Sequence, residues 1–362
     1  MKKGSRETEA QWKPRPDRTV GVDLGDRVSR YCVLNGDGEV IEEGQVRTSE
    51  AGFRRQWEGE PRQRIVMETG THSPWISRLL QSWGHQVIVA NARKLRAISQ
   101  NESKNDRQDA EMLARLGYCD PKLLAPVRHR SVERQRDLNL LRARDTLVRA
   151  RTMLINSVRG LVKSEGGRLP ASAADYFVGR VEAAVPAELK PAIQPLLEQI
   201  AGLTTQIRHL DQSIEKLQER YPEIGIVRTA PGVGPVIGAA YVLTLDSAEA
   251  VARSRSVGAF LGLRPRQSQS GDSDPEHNIS KTGNSYLRRL LVQAAHYILG
   301  RFGPDSALRR WGLKLAIGGQ RSKKRAVVAV ARKLAVLLHH LWRSGQPYQP
   351  FPQAMTATGS AA

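Results

Sequence analysis

TVGVDLGDRVSRYCVLNGDGEVIEEGQV, residues 19–46, is the stretch on which the fold turns. Within it TVGVDLG (19–25), SRYCVLN (29–35) and EVIEEGQV (39–46) alternate or run apolar, and Gly36-Asp37-Gly38 joins the second run to the third. Apolar alternation broken by a Gly-Asp-Gly turn predicts a strand followed by a hairpin. Downstream, a helical segment near 51–58 leads to a short apolar run, RIVME (64–68), and an amphipathic segment, SPWISRLLQSWG (73–84). QVIVA (86–90) and a helix through KNDRQDAEMLARL (104–116) complete the series. Strands that alternate with helices after an initial meander indicate an α/β domain with a mixed sheet.

The 362 residues carry 56 Lys and Arg against 36 Asp and Glu, a formal charge of +20. Such an excess points to a polyanion, because each neutralised phosphate releases counterions and strengthens binding, and nucleic acid is the leading candidate. The opening MKKGSRETEAQWKPRPDRT lacks the apolar stretch of a signal peptide. Arg332 and Lys333 interrupt the longest apolar run, 326–342, so a soluble protein is expected. Cys32 and Cys119 form no CxxC and have no Cys/His grouping around them. That argues against a disulfide framework or zinc module and suits a reducing compartment.

From about 131 the pattern changes to long helix. Residues 131–162 hold apolar positions at helical spacing with Arg134, Arg136, Arg142, Arg144, Arg149, Arg151 and Arg159 between them, either a basic face for phosphates or a solvated surface. After a Gly-, Pro- and Ala-punctuated connector, Ile193, Leu196, Ile200, Leu203, Ile207, Leu210, Ile214 and Leu217 keep strict 3,4 spacing. Ile at every a and Leu at every d is the composition of a coiled-coil seam, intermolecular or paired with the 131–162 helix of the same chain. TAPGVGPVIGAAYVLTL (229–245) resembles the second half of a helix-hairpin-helix element, whose exposed N–H groups hold a phosphate without reading bases. It lacks the strand-helix-strand setting of a dinucleotide fold.

The chemistry-bearing residues fall in two places. Asp23 ends the first strand and Glu68 ends RIVME. Side chains at the ends of neighbouring strands enter one crevice, and Asp106 and Asp109, three apart, lie on one helix face. Asp also favours a helix N-cap and a turn, so punctuation is the competing reading of each acid. As a set, four acids near one point repel unless a divalent cation neutralises them, and Mg²⁺ held by carboxylates is the usual device at a phosphodiester. Far along the chain, GLRPRQSQSGDSDPEHNISKTGNSYLRRLL (262–291) places Ser268, Ser270, Ser273 and Ser280 in a loop between helices. Arg264 and Arg266 precede them and Lys281, Arg288 and Arg289 follow. A serine becomes a nucleophile when a base or metal activates it and cations stabilise the opposing oxyanions, although a Ser-rich loop also serves as a plain linker.

VGVDLG, METGTH, SKNDRQDAEMLA, RTAPGVGPVIGAAYVLTL, FLGLRPRQSQSG and ISKTGNSYLRRLLVQAA, in that order across residues 19–345, resemble the DEDD transposases of the Piv/MooV type. These are insertion-sequence recombinases that include the bridge-RNA-guided enzymes. After the basic tail (1–18), the resemblance implies a RuvC-like, RNase H-fold DEDD domain (19–130), and the helical pattern read above places a long basic helix with a coiled coil at 131–220. A mainly α transposase domain (221–345) and a tail (346–362) would follow. It implies that Asp23, Glu68, Asp106 and Asp109 bind Mg²⁺ and that Ser270, the serine preceding Gly271, links covalently to DNA, with Ser268 the competing choice. The implied partners are double-stranded donor and target DNA and a structured guide RNA, in a homodimer or homotetramer at the nucleoid of a prokaryotic cytoplasm. The chain departs from the pattern in its 18-residue basic tail and in the acidic DSDPEHN after the serine. Two rival functions stand beside recombination, a Mg²⁺-dependent junction-resolving nuclease in which Ser270 is incidental and a non-enzymatic nucleic-acid-binding scaffold.

Overall fold

The computed structural model describes residues 17–92, 106–268, 275 and 277–351, with Asp106 described by its backbone only. The chain divides into two compact units, residues 1–129 and 130–362.

The first unit is built on a five-stranded mixed sheet. Strands β1 (Thr19–Asp23), β2 (Val28–Leu34), β3 (Val40–Arg47), β4 (Arg64–Glu68) and β5 (Gln86–Ala90) lie in the order β3-β2-β1-β4-β5. The meander β1-β2-β3 is antiparallel, as the Gly36-Asp37-Gly38 turn predicts, while β1-β4 and β4-β5 are parallel. Strand alternation sorts the side chains onto two faces. Val20, Val22, Ile65 and Met67 pack with Phe53 and Trp57 of α1 (Glu50–Trp57) and with Ile76 and Leu80 of α2 (Ser73–Ser82). On the opposite face Cys32, Leu34, Val66 and Ile88 meet Ala110, Leu113 and Ala114 of α3 (Asp106–Cys119). Gly21 lies on the α3 side, and a Cβ there would stand 2.0 Å from the Ala110 carbonyl oxygen, so α3 sits directly on the backbone of β1.

The second unit is helical among its described residues. Helix α4 (Val132–Ser164) starts at Ser131, whose hydroxyl accepts from the Arg134 N–H at 3.2 Å. A connector with the short α5 (Phe177–Val181) leads to α6 (Lys190–Glu215), which packs along α4. Ile193, Leu197 and Ile200 of α6 are buried with Ile155, Val158 and Val162 of α4 and with Phe177 and Val181. The Ile edge of the heptad therefore finds its partner inside the chain, while Leu196, Leu203 and Leu210 stay half-buried. This corrects the intermolecular reading along that edge. Periodicity identifies an apolar face and is silent on which helix covers it.

The basic-face reading of 131–162 is also corrected in part. Arg134 pairs with Glu223 at 3.2 Å, Arg151 with Asp175 at 2.6 Å, and Arg144 with Asp211; Arg136, Arg142 and Arg149 remain exposed.

Beyond the four-residue α7 (Leu217–Arg220), α8 (Glu223–Arg228) and α9 (Pro235–Leu245) are joined by the Gly-rich turn 229–234. Every residue from Gly238 to Leu245 is buried, which explains why α9 is apolar all round. The short α10 (Val257–Phe260), α11 (Ser285–Leu299), α12 (Ala307–Leu315) and α13 (Gln320–Ser344) share one core with it, and the Tyr241 hydroxyl donates to the Ala335 carbonyl at 2.6 Å. Buried His339 is held through both ring nitrogens, 2.9 Å from the Ser254 hydroxyl and 2.9 Å from the Ala248 carbonyl. Burial lowers its pKa. No helix among the described residues is long and apolar enough to cross a membrane.

Candidate active site

Asp23 and Glu68 are the last residues of two adjacent parallel strands, one step beyond the Val22–Met67 pair. Asp23 shares its strand face with Gly21, and Glu68 with Val66, so both carboxylates leave the sheet on the α3 side.

The level of α3 follows from Arg64. This buried guanidinium donates through Nε to the Gln86 side-chain oxygen at 2.8 Å and through a terminal nitrogen to the Gly117 carbonyl at 2.9 Å. The C-terminal part of α3 thus lies over the start of β4, where a cation also meets the negative end of the helix. From Arg64 to Glu68 the strand advances roughly 13 Å at 3.3 Å per residue. From Gly117 back to Asp109 the helix rises roughly 12 Å at 1.5 Å per residue. Asp109, one residue before the Ala110 that covers Gly21, therefore lies toward the end of the sheet where Asp23 and Glu68 stand. It also sits four residues before Leu113, which is buried with Val66 and Ile88, so its half-buried side chain lies on the sheet-facing flank. Asp106 begins the same helix one turn earlier.

The surrounding loops are tied down. After Glu68, the Thr69 N–H donates to the Ala90 carbonyl at 2.9 Å, and the Ser73 hydroxyl donates to the Gly70 carbonyl at 2.9 Å and accepts the Gly70 N–H at 3.0 Å. After Asp23, the Thr48 hydroxyl donates to the Gly25 carbonyl at 2.9 Å. In the first turn of α3, Arg107 bonds both carboxylate oxygens of Glu43 on β3 and holds that carboxyl below its usual range. Sequence reasoning passed over His72, inside the METGTH motif: Trp75 donates its indole N–H to His72 Nδ1 at 3.1 Å, leaving Nε2 3.5 Å from Asp26. Among the described residues no three acidic, His or Cys side chains are grouped closely enough to hold one ion. Asp23, Glu68 and Asp109 share one end of the sheet, and the Asp106 side chain lies outside the description. The donor chemistry, carboxylate oxygens only, is that of a hard divalent cation.

The serine loop rises from a short ribbon. Ser280 N–H donates to the Arg264 carbonyl at 2.8 Å and Arg266 N–H to the Asn278 carbonyl at 3.1 Å, with Pro265 facing Ile279 between these rungs. Pro265 has no N–H to leave unpaired there. Gly262, at φ +68°, makes the ribbon's base possible, because a Cβ would lie 2.1 Å from the Thr282 carbonyl oxygen. Arg288 clamps both sides of that base through the carbonyls of Leu261 (2.9 Å) and Thr282 (2.8 Å), and Arg289 pairs with Asp145 at 2.6 Å. These two cations, expected to face oxyanions, serve the scaffold instead. Arg264, Arg266 and Lys281 are exposed along the ribbon, as is Ser268, whereas Ser270 and Ser273 lie outside the described residues.

Two family models match the chain in sequence order. A DEDD transposase model of the IS110 type covers residues 20–165, and the transposase model for the IS116/IS110/IS902 family covers residues 225–310. The transposase for insertion sequence element IS1111A of Coxiella burnetii is 28% identical over 347 residues, 92% of this chain and 91% of that protein. The transposase for insertion sequence element IS1328 of Yersinia enterocolitica is 29% identical over 75% of this chain and 81% of its own length. The pilin gene-inverting protein of Moraxella bovis is 23% identical over 78% of this chain and 81% of its length. The β1, β4 and α3 acids fall within the first model and the serine ribbon within the second, and the chain belongs to the IS110-type DEDD transposases.

Proposed function

We propose that this protein is a DNA recombinase that excises and inserts a mobile element through a phosphoserine intermediate on Ser270, guided by a structured RNA. In the proposed step the Ser270 oxygen bonds a backbone phosphorus, one P–O bond to a sugar breaks, and the departing sugar oxygen takes up a proton. A second strand's hydroxyl reverses the exchange, regenerating the serine and conserving the number of phosphodiester bonds, so the sequence of steps requires no nucleotide triphosphate. Asp23, Glu68, Asp106 and Asp109 would hold Mg²⁺, which when bound neutralises charge on the phosphate oxygens. Arg264, Arg266 and Lys281 meet the developing oxyanion charge from the ribbon. Donor and target are double-stranded DNA, and the assembly is a homodimer or homotetramer.

The observation that supports this reading is that Asp23 and Glu68 end adjacent parallel strands on the sheet face covered by α3, the helix that carries Asp106 and Asp109. Acids at the ends of adjacent strands suit a shared hard cation, and the relatives that share the chain's length are transposases. Incubating the protein with labelled donor and target DNA, candidate guide RNA and Mg²⁺, then denaturing, is the test. A protein–DNA adduct lost in Ser270→Ala and kept in Ser268→Ala supports the reading. Cutting by Ser270→Ala at the wild-type rate without any adduct favours the nuclease, and nucleic-acid binding with neither adduct nor cutting, needing no divalent ion and unchanged in Asp106→Asn, favours the scaffold.

A further inference from the structure

One face of α13 carries a row of cations beside Val328, a residue at the edge of the core. Ala326, Val330, Leu334 and Leu338 are buried inward, while Arg321, Lys324, Arg325, Val328, Arg332 and Lys333 recur at helical spacing on the other side. Together with the returning ribbon strand 277–281 and Trp311 of α12, that face bounds a groove of about 980 Å³. Six of the described lining residues are Lys or Arg, and none is acidic. The floor is apolar, formed by Leu263, Ile279, Val328, Ala329 and Val336. Lys333 Nζ stands 4.1 Å from the centre of the Trp311 ring, and Arg332 lies along Gly258 of α10.

A groove with these properties discriminates between forms of nucleic acid. Duplex DNA offers phosphates outward and keeps its base faces stacked away, so it would meet the cations and leave the apolar floor without a partner. A single strand offers phosphates along one edge and base faces along the other, and stacks on aromatic side chains without regard to sequence. The volume, at the upper end of the roughly 300–1,000 Å³ of small-ligand sites, is that of a few unstacked nucleotides.

We infer that this groove binds single-stranded DNA: the strand separated from its partner beside the serine ribbon, with bases on the Ile279–Val328 floor and Trp311 and phosphates on Arg321, Lys324 and Arg325. This placement rests on the reading of the ribbon as the serine site, since the strand 277–281 belongs to both. The groove would hold a cut end in place while strands are exchanged.

The test is fluorescence anisotropy on the full chain with a labelled single-stranded DNA of about 12 nucleotides, the same sequence as duplex, and the same sequence as RNA, across a salt series. The single strand is expected to bind at least tenfold tighter than the duplex and tighter than the RNA. Lys324→Gln, at an exposed position, should weaken single-strand binding severalfold and flatten the log–log salt slope by about 0.7. Trp311→Leu should weaken it about tenfold, and Trp311→Phe should restore most of it, separating lost stacking from lost folding. Arg136→Gln, an exposed cation on α4, should change neither. Duplex or RNA binding as tight as single-stranded DNA, or equal losses from Lys324→Gln and Arg136→Gln, overturns the inference. Ser270→Ala should bind the single strand normally, so a serine that makes no adduct and a groove that binds no strand are separate failures.

Discussion

In the sheet unit Asp23 and Glu68 end two hydrogen-bonded parallel strands, and Asp109 lies on a helix tied to the same sheet through Arg64. In the helical unit the serines lie beyond a ribbon of few rungs, anchored at its base by Gly262 and Arg288. The two strand-end acids are set by backbone register, while the ribbon before the serines rests on one glycine turn and one arginine clamp. Positional error at the acids thus requires a sheet to slip, whereas error at the serine requires only a change at its base.

Removing one acid is expected to have the largest effect. Asp23→Asn, Glu68→Gln or Asp109→Asn should each lower strand exchange by about 10²-fold or more with an unchanged melting temperature. Asp109→Asn retaining full activity would break the comparison at its centre. Arg64→Met should cost about 2–4 kcal/mol, since it leaves the Gly117 carbonyl and Gln86 buried without their donor, and denaturant melts of the sheet unit measure it. A comparable loss, about 2–4 kcal/mol, is expected for Ile200→Ala, buried against α4, while Leu203→Ala, half-buried on the neighbouring edge, should cost under about half of that. Equal costs would mean that the Leu edge is covered as fully as the Ile edge. The smallest effect concerns pH. His339 has a folded pKa below its ordinary 6.5, so the unfolded chain binds the proton more readily. Stability of the helical unit should be full above about pH 6.5 and decline as pH falls below it, a slope that His339→Gln removes in thermal melts.

Much of the sheet unit was legible in the chain. RIVME and QVIVA are strands at their expected bounds because a short apolar run between turn residues has few other ways to bury itself. Asp23 and Glu68 are strand ends as expected, and the described part of KNDRQDAEMLARL, from Asp106 on, is helix. The ribbon at 264–280 was not legible, since two rungs around a proline leave no alternation to read. The groove was hidden for a different reason: its cations are scattered between residues 281 and 333 and converge only when α13 is packed against the core.

The sequence by itself determined which segments are strands and helices, which faces are apolar, and which residue types can carry phosphoryl chemistry, because these depend on period and side-chain chemistry over a few residues. Only the tertiary structure decided what covers each face and at what level the elements meet. The Ile edge of α6 lies on α4, Arg288 holds a turn in place of an oxyanion, and α3 is tied to β4 by the Arg64–Gly117 contact, 53 residues apart in the chain. Such pairings are settled by packing between distant segments, where many partners satisfy the same local pattern and only one arrangement buries them all.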